Sequence, residues 1–364
     1  MALIIALLEK LIALISFTLF SLKWRMLDFI NIRIKNKHKI YKIITTSSST
    51  STKIAIVAAF PRGKLLKSIC RLVDRLRING YHVIVIINEG SSKSKDWIDE
   101  LSNRDLTIIC RPNIGRDFGA YQAGINYVQN MPTYSNLERI VLANDSVYYF
   151  PDSENFLDNL LNFDGNWVAM FVNFQYHVHA QSFFEIFSRE LFASKAFVDF
   201  WNNYYPTNTR HKVINDGEVK LTQTMIKAGF LPKPFVTSDL IELSGLNHLI
   251  TAEEKFALWS GFGFTRTDLS PESEEAHELQ LRRIFTTLNP SHHVGVVATR
   301  VVKAPLKLDL LRTGLVSLSG LTDVARIAGT TDLELEDFTA EMSSKGSNVS
   351  FRGFHKLWRE FGYE

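Results

Sequence analysis

Residues 54–92 read IAIVAAFPRGKLLKSICRLVDRLRINGYHVIVIINEGSS. Ile54 to Phe60 is a short, wholly apolar run closed by Pro61 and Gly63, which predicts a strand buried on both faces. Leu65 to Ile78 then places its apolar residues at helical spacing and stops at Asn79-Gly80. Tyr81 to Ile87 is a second apolar run, ended by Asn88-Glu89-Gly90-Ser91-Ser92. Strand, helix and strand with continuous rather than alternating hydrophobicity predict a parallel sheet sandwiched between helices.

The same alternation continues downstream. Asp96 to Leu101 fits a short helix, Leu106 to Cys110 a third strand, Phe118 to Val128 a helix and Arg139 to Ala143 a fourth strand. Val168 to Phe174 is a further strand, and helices are expected over Gln181 to Phe192, Lys195 to Tyr204 and Glu218 to Lys227. From Ile241 to Asn289 mixed strands and loops are expected, with helix-like stretches from Lys307. Val349 to Phe361 spaces Phe351, Phe354, Leu357, Trp358 and Phe361 as one helical face, with Arg352, Lys356 and Arg359 between them. Such a basic amphipathic helix suits docking on its own domain or on an anionic membrane. The expected fold class is α/β, a Rossmann-type, mostly parallel sheet flanked by helices, with a helical C-terminal extension.

Four regions follow. Residues 1–44 are an apolar helix and a basic flank, 45–52 (TTSSSTST) a linker, 53–240 the main domain, and 241–364 the remainder. Met1 to Leu22 carries only the adjacent pair Glu9 and Lys10 as charges. A helix of that length spans about 33 Å, near the thickness of a bilayer's hydrocarbon core. No basic residues precede the apolar run and no small-x-small site ends it, so a signal peptide is a poor reading. Lys23, Arg25, Arg33, Lys35, Lys37, Lys39 and Lys42 follow against the single acid Asp28, which places this flank and the rest of the chain on the cytoplasmic side. The chain has 364 residues, 46% of them apolar, and a formal charge of +3, too small to suggest a nucleic-acid partner. Its two cysteines, Cys70 and Cys110, form no metal-ligand pattern and are expected to be reduced thiols.

In open α/β sheets ligands bind beyond the carboxyl ends of the strands. Three of these strand ends carry polar or glycine-rich sequence: Asn88-Glu89-Gly90-Ser91, then Arg111-Pro112-Asn113-Ile114-Gly115-Arg116-Asp117-Phe118-Gly119-Ala120-Tyr121, then Asn144-Asp145-Ser146. Glycines allow close backbone approach, while an arginine and a helix start supply positive potential for an anion. An acid after the next strand suits a divalent metal held against a diphosphate. The chain has neither a GxxxxGK[ST] loop nor GxGxxG, which argues against other nucleotide-using classes.

Asn113 to Tyr121 (NIGRDFGAY) and Val141 to Asp152 (VLANDSVYYFPD) resemble the rhamnan synthesis protein F family, glycosyltransferase-type proteins of bacterial O-antigen, capsule and wall polysaccharide assembly. Similar stretches are His179 to Phe184 (HAQSFF), Gly217-Glu218 with Leu221-Thr222, Asn289 to His293 (NPSHH) and the basic segment Leu306 to Arg312. A more distant likeness is to family 2 glycosyltransferases of the GT-A fold, in which strand four ends in a metal-binding Asp-x-Asp. Here one acid stands there, Asp145. In that family an acidic pair precedes a leucine and a glycine at fixed spacing. Glu218, Leu221 and Gly229 keep the spacing while Gly217 replaces the first acid.

The resemblance implies an inverting hexosyl transfer from a nucleotide sugar, with dTDP-rhamnose the expected donor, to a glycan or lipid-linked glycan on the cytoplasmic face of the bacterial inner membrane. It implies Glu218 as the base, with Asp216 second. Glu89, Asn113, Gly115, Arg116, Asp117, Asn144 and Asp145 would serve the donor, and Asp145 a Mg²⁺ or Mn²⁺ ion. His179, Gln181, His292 and His293 would face the acceptor. A non-catalytic sugar-nucleotide-binding or scaffolding subunit is the alternative, supported by the lone acid at Asn144-Asp145-Ser146.

Overall fold

The computed structural model describes residues 40–45, 50–61, 67–89, 94–175, 177–243 and 274–344, together with positions 11, 15, 18, 19, 22, 26, 29, 65, 254, 257 and 258. The expected helix at Val349 to Phe361 and most of the expected apolar helix lie outside these residues. At the seven isolated positions before residue 30 the chain is helical, and Leu11, Ile15, Leu19, Leu22, Met26 and Phe29 are each more than half exposed. Among the described residues no helix is long and apolar enough to cross a membrane.

The strands are β1 (Lys42–Thr45), β2 (Lys53–Ala59), β3 (His82–Glu89), β4 (Thr107–Pro112), β5 (Arg139–Asn144), β6 (Val147–Tyr148), β7 (Trp167–Ala169), β8 (Val172–Asn173), β9 (His179–Ala180), β10 (Phe184–Ser188), β11 (Lys233–Pro234) and β12 (Leu306–Lys307). The central sheet runs β1-β4-β3-β2-β5-β10-β7-β11. Within it β4, β3, β2 and β5 are mutually parallel, and β10 runs antiparallel to both its neighbours, β5 and β7. The four apolar runs read from the sequence are therefore the parallel centre. Their side chains fill two cores, one on each face: Ala55, Val57, Val83, Val85 and Ile108 pack on one side, and Ile54, Ile56, Ile84, Ile86 and Ile109 on the other. This is the period of two that a strand covered on both sides requires.

Helices α1 (Lys67–Ile78), α2 (Ser94–Leu101) and α3 (Arg116–Gln129) make the crossovers between the parallel strands. Cys70 and Cys110 are buried and unpaired with one another, as expected for thiols.

Three expectations need correction. Gln181 to Phe192 is not one helix: Phe184–Ser188 is strand β10, and only Arg189–Phe192 is helical. The spacing of Phe183, Phe184 and Phe187 fits a helix, but aromatic and β-branched residues covered on both faces settle better between two strands. Glu185 within it is buried and accepts a 2.8 Å bond from Trp167 Nε1. Val168 to Phe174 divides into β7 and β8. The described parts of 241–289 are helical, not strand, at Ser238–Leu243 and Glu274–Thr287. The helices up to Val302 share one core with the sheet: Ile241, Leu281, Ile284, Val294, Val297 and Ala304 pack in the cluster that holds Val57 and Val85, whereas Leu321, Val324, Leu335 and Phe338 form a separate C-terminal core with Tyr148 and Phe150.

The sheet also extends upstream of the Lys53 start that the sequence suggested. β1 pairs antiparallel with β4 from Lys42 opposite Cys110 to Thr45 opposite Thr107, and the Tyr41 amide donates to the Cys110 carbonyl at 2.8 Å. Without β1, β4 becomes a bare parallel edge, a template for pairing with other chains. A protein starting at Lys53 should therefore unfold at lower temperature and self-associate more than one starting at Ile40. Thermal melts and sedimentation of the two truncations check this, and identical behaviour would show β1 to be dispensable.

Candidate functional site

The carboxyl ends of β3, β4 and β5 meet the loop Asn113–Asp117, and a buried guanidinium organises their junction. Arg111, at the end of β4, donates from Nη1 to Asn88 Oδ1 at 2.7 Å and from Nη2 to the Ile114 carbonyl at 2.7 Å. Burial lowers its pKa to about 10. The Asn88 Nδ2 group in turn donates to the Arg116 carbonyl at 3.3 Å.

A second clamp comes from Asn208, in the turn Pro206-Thr207-Asn208-Thr209. Its Oδ1 accepts the Gly115 amide at 2.6 Å, its Nδ2 donates to the Asn113 carbonyl at 3.1 Å, and its own carbonyl accepts Arg116 Nε at 3.0 Å. Gly115 has φ +84° and lies so close to Pro206 that an added Cβ would come within 2.5 Å of its Cβ. Only glycine combines that backbone conformation with that approach. Arg116 follows with φ +52° and opens α3. Gln122 Nε2, on α3, donates to the Trp201 and Tyr204 carbonyls at 2.7 and 2.8 Å, steadying the turn that carries Asn208.

Asp117 and Asn144 bring the β4 and β5 ends together: Asn144 Nδ2 donates to Asp117 Oδ2 at 3.2 Å. Burial, then the nearby Glu218 carboxylate, push the Asp117 carboxyl up to about 6, against the opposing pull of Arg116, the Phe118 amide and Lys307. Asp145 Oδ2 accepts the Phe60 amide at 2.7 Å, tying the end of β5 to that of β2. Asn144 Oδ1 is taken by the Ser146 amide and hydroxyl at 3.0 and 2.5 Å.

The turn after β5 offers a divalent ion one carboxylate, Asp145, with one oxygen already in use. Among the described residues no group of three or more His, Cys, Asp or Glu side chains is placed to hold a metal. Calcium and magnesium sites need near-complete oxygen shells. Asp145 fits a single contact to Mg²⁺ or Mn²⁺ carried in on a diphosphate, and does not by itself make a cage for a resident ion.

Glu218 and Asp216 lie on a π-helical turn, Val213–Val219, that leads into Lys220–Lys227. Such turns redirect side chains and recur at functional sites. Here the turn separates the two acids: Asp216 is exposed, whereas Glu218 is half-buried and accepts a short bond from the Ser182 hydroxyl. His179 Nε2 lies 3.9 Å from Glu218 Oε2, and His179 Nδ1 faces the His177 carbonyl at 2.7 Å. A carbonyl only accepts, so Nδ1 carries the hydrogen and Nε2 is the atom turned to Glu218. Tyr121, the last residue of NIGRDFGAY, donates its hydroxyl to the Ser182 carbonyl at 2.7 Å and so holds the residue that holds Glu218. Gly217 explains the missing first acid: a Cβ there would lie 2.8 Å from the Phe118 ring.

The sequence-derived acceptor residues divide. Gln181 Nε2 donates to Asn289 Oδ1 at 3.0 Å, joining the HAQSFF and NPSHH segments. His292 Nε2 lies 3.4 Å from Asp309 Oδ1, while His293 turns Nδ1 to the Ala257 carbonyl at 2.8 Å. Burial lowers the His293 pKa. Burial opposes charge on Asp309, but His292, Lys307 and Arg210 outweigh it and hold the carboxyl well below the usual range. The side chain of Glu89 lies outside the described set; its backbone pairs with Pro112 at the β3–β4 end.

Asn208, Ser182, Lys307 and Asp309 were not singled out from the sequence. Ser182, Lys307 and Asp309 lie inside segments that carry the family resemblance, so position in a motif was their only signal. Asn208 had none beyond a polar turn.

Residues 83–252 match the family model of RgpF, rhamnan synthesis protein F. The resemblance read from NIGRDFGAY and VLANDSVYYFPD lies within that match. The chain is 29% identical over 187 residues to the uncharacterized protein y4gN of Sinorhizobium fredii (strain NBRC 101917 / NGR234), covering 50% of this chain and 47% of that one. It is 26% identical over 191 residues to virulence protein VirA of Vibrio anguillarum (strain ATCC 68554 / 775), covering 51% and 55%. It thus spans about half the length of the curated relatives it matches. Among solved structures, the glycosyltransferase GlyE of Streptococcus pneumoniae TIGR4 aligns with a TM-score of 0.32 and 11% identity, covering 60% of this chain and 52% of that one. The mannosyltransferase PcManGT of Pyrobaculum calidifontis, in complex with GDP-Man and Mn²⁺, aligns with a TM-score of 0.33 and 11% identity, covering 93% and 98%.

Two expected outcomes follow from this geometry. Asn208→Ala removes both side-chain bonds to the Asn113–Gly115 backbone and should destabilise the protein by about 2 kcal/mol, each such bond being worth roughly 0.5–1.5 kcal/mol. Denaturant unfolding measures it, and an unchanged midpoint would remove Asn208 as a clamp. Burial, offset in part by the Trp167 bond and reinforced by Glu218, pushes Glu185 from its ordinary 4.5 up to about 8. The folded state therefore binds this proton more tightly than the unfolded chain, and stability falls as pH rises through that window. Glu185→Gln should melt near wild type at pH 5 and above it at pH 9; parallel curves across that range would contradict the assignment.

Proposed function

We propose that this chain is a glycosyltransferase that moves a sugar from a nucleoside diphosphate onto a hydroxyl acceptor. The observation that carries the reading is Glu218: a carboxylate on a π-helical turn, set by Ser182 and His179, within electrostatic reach of Asp117 at the strand ends. The RgpF family match supports the transferase class. The order β4-β3-β2-β5 with antiparallel β10 beside it suits the GT-A arrangement.

In this reading the acceptor hydroxyl attacks the anomeric carbon as the bond from that carbon to the diphosphate oxygen breaks. Glu218 takes the hydroxyl proton, and the electron pair leaves with the nucleoside diphosphate. Ser182 donates to one Glu218 oxygen and aims the other, while His179 Nε2 stands beside that second oxygen. Arg116 and the opening of α3 face the charge of the diphosphate. When bound, Mg²⁺ or Mn²⁺ at Asp145 would add positive charge to the diphosphate oxygens. Displacement from the opposite face gives an inverted product. Rhamnose is the sugar suggested by the family description, with dTDP-rhamnose as donor and a glycan or lipid-linked glycan as acceptor. The exposed helical Leu11, Ile15, Leu19, Leu22, Met26 and Phe29, followed by the basic flank, support work on the cytoplasmic face of a bacterial inner membrane.

A second reading, a sugar-nucleotide-binding subunit without turnover, is favoured by the single acid at Asn144-Asp145-Ser146. A panel of nucleotide sugars, scored for binding, hydrolysis and transfer, separates the two. General-base assistance is typically worth 10²–10⁴-fold, so Glu218→Gln should lower transfer by about that factor with donor binding intact. Normal transfer by Glu218→Gln alongside a dead Asp216→Asn would move the base to Asp216; binding without any turnover in wild type would favour the second reading.

A further inference from the structure

Lys307 is placed by a strand pairing that joins the C-terminal region to the segment just after β5. β12 pairs antiparallel with β6, Lys307 opposite Val147 and Leu306 opposite Tyr148, and the Leu308 amide donates to the Ser146 carbonyl at 2.9 Å. This lays residue 307 alongside the turn Asn144-Asp145-Ser146. The period of two then divides the side chains. Leu306 and Leu308 enter the C-terminal core with Tyr148, and Lys307 goes to the opposite side, its Nζ 4.6 Å from the Phe183 ring centroid. Phe183 follows Ser182, the residue that holds Glu218. The ammonium thus stands over an aromatic face, and its charge favours the ionised form of both Asp117 and Asp309. No ion pair within 4.0 Å involves it among the described residues, and Asp309 is already met by Arg210 at 3.3 Å and by His292 Nε2 at 3.4 Å. A half-buried ammonium held on a ring without a salt-bridge partner is a charge available to an anion.

We propose that Lys307 is a catalytic residue that binds the diphosphate of the donor and stabilises the charge on the departing nucleoside diphosphate, as the protein's own positive charge where the strand end has only one acid. This rests on the glycosyltransferase reading and extends it to a residue outside the segment matched by the family model. Fixed charges aimed at developing negative charge act without reorganisation, and removing one such donor typically lowers turnover by about 10²–10³-fold.

The test uses the full chain in detergent, with inorganic pyrophosphate and a panel of UDP, GDP and dTDP as probes, titrated calorimetrically in the presence of EDTA. Wild type is expected to bind at least one diphosphate under these conditions. Lys307→Met keeps the aliphatic stem on Phe183 and should melt as wild type, weaken that binding about tenfold or more, and lower transfer by about 10²–10³-fold. Lys307→Arg should restore most of the binding, which a merely structural defect would not allow. Normal diphosphate binding and transfer by Lys307→Met, or wild-type binding only when Mg²⁺ or Mn²⁺ is added, would overturn the assignment to Lys307 while leaving the transferase reading in place. Absence of diphosphate binding and transfer in wild type with and without metal would overturn both.

Discussion

A guanidinium buried at the end of a parallel strand has to find acceptors nearby, because a charge removed from water without them is costly. Arg111 finds an amide oxygen on the neighbouring strand and a carbonyl in its own following loop. Those two bonds fix the spacing between the β3 and β4 ends and the direction in which the chain leaves β4. The loop must then turn sharply into α3, and it does so through consecutive left-handed residues, Gly115 and Arg116. Asn208 takes up the backbone groups this turn leaves over. Asp117, Tyr121 and Gln122 all descend from that geometry, since α3 carries each of them toward its partner: Asn144, Ser182 and the Trp201–Tyr204 turn.

The site is consequently built in relay. Tyr121 fixes the Ser182 backbone, the Ser182 hydroxyl fixes Glu218, and Glu218 adds to the burial that raises the pKa of Asp117. None of these residues is contiguous with the next in sequence. The sheet brings them together because β10, the antiparallel strand that begins just after Ser182, is inserted beside β5. The electrostatics are shared in the same way. Acidic groups at the strand ends face cations drawn from distant segments: Arg116 from α3, Arg210 from the turn after Tyr204, and Lys307 from β12.

The parallel centre of the fold was legible because burial on both faces leaves unbroken apolar runs, and the runs at Ile54, Tyr81, Leu106 and Arg139 have no competing period. The antiparallel strand was not, because Phe183, Phe184 and Phe187 satisfy helical and extended spacing alike, and only the presence of neighbouring strands decides between them. The helices between Ile241 and Asn289 were obscured for a related reason: Ile241, Leu281 and Ile284 pack into the sheet's own core. Within the candidate site, Glu218 and Asp117 were singled out by spacing and strand-end position. Asn208 acts on a backbone amide and a backbone carbonyl, and a sequence carries no mark of which main-chain groups are left unsatisfied. Lys307 needed the β6–β12 pairing, a contact between residues more than a hundred positions apart.

The packing of Gly217 under the Phe118 ring has a consequence for how such a chain could change over time. An acid at position 217 would complete the pair seen in family 2 enzymes, yet its first carbon has no room while the ring stays where it is. Phe118 cannot simply shrink, since it stacks on Trp201 and also packs against the rings of Tyr121 and Tyr204. Substitution at either position alone meets a penalty, overpacking at 217 or a cavity at 118. The two sites are therefore epistatic, and a lineage with this aromatic cluster keeps glycine at position 217 until both residues change together.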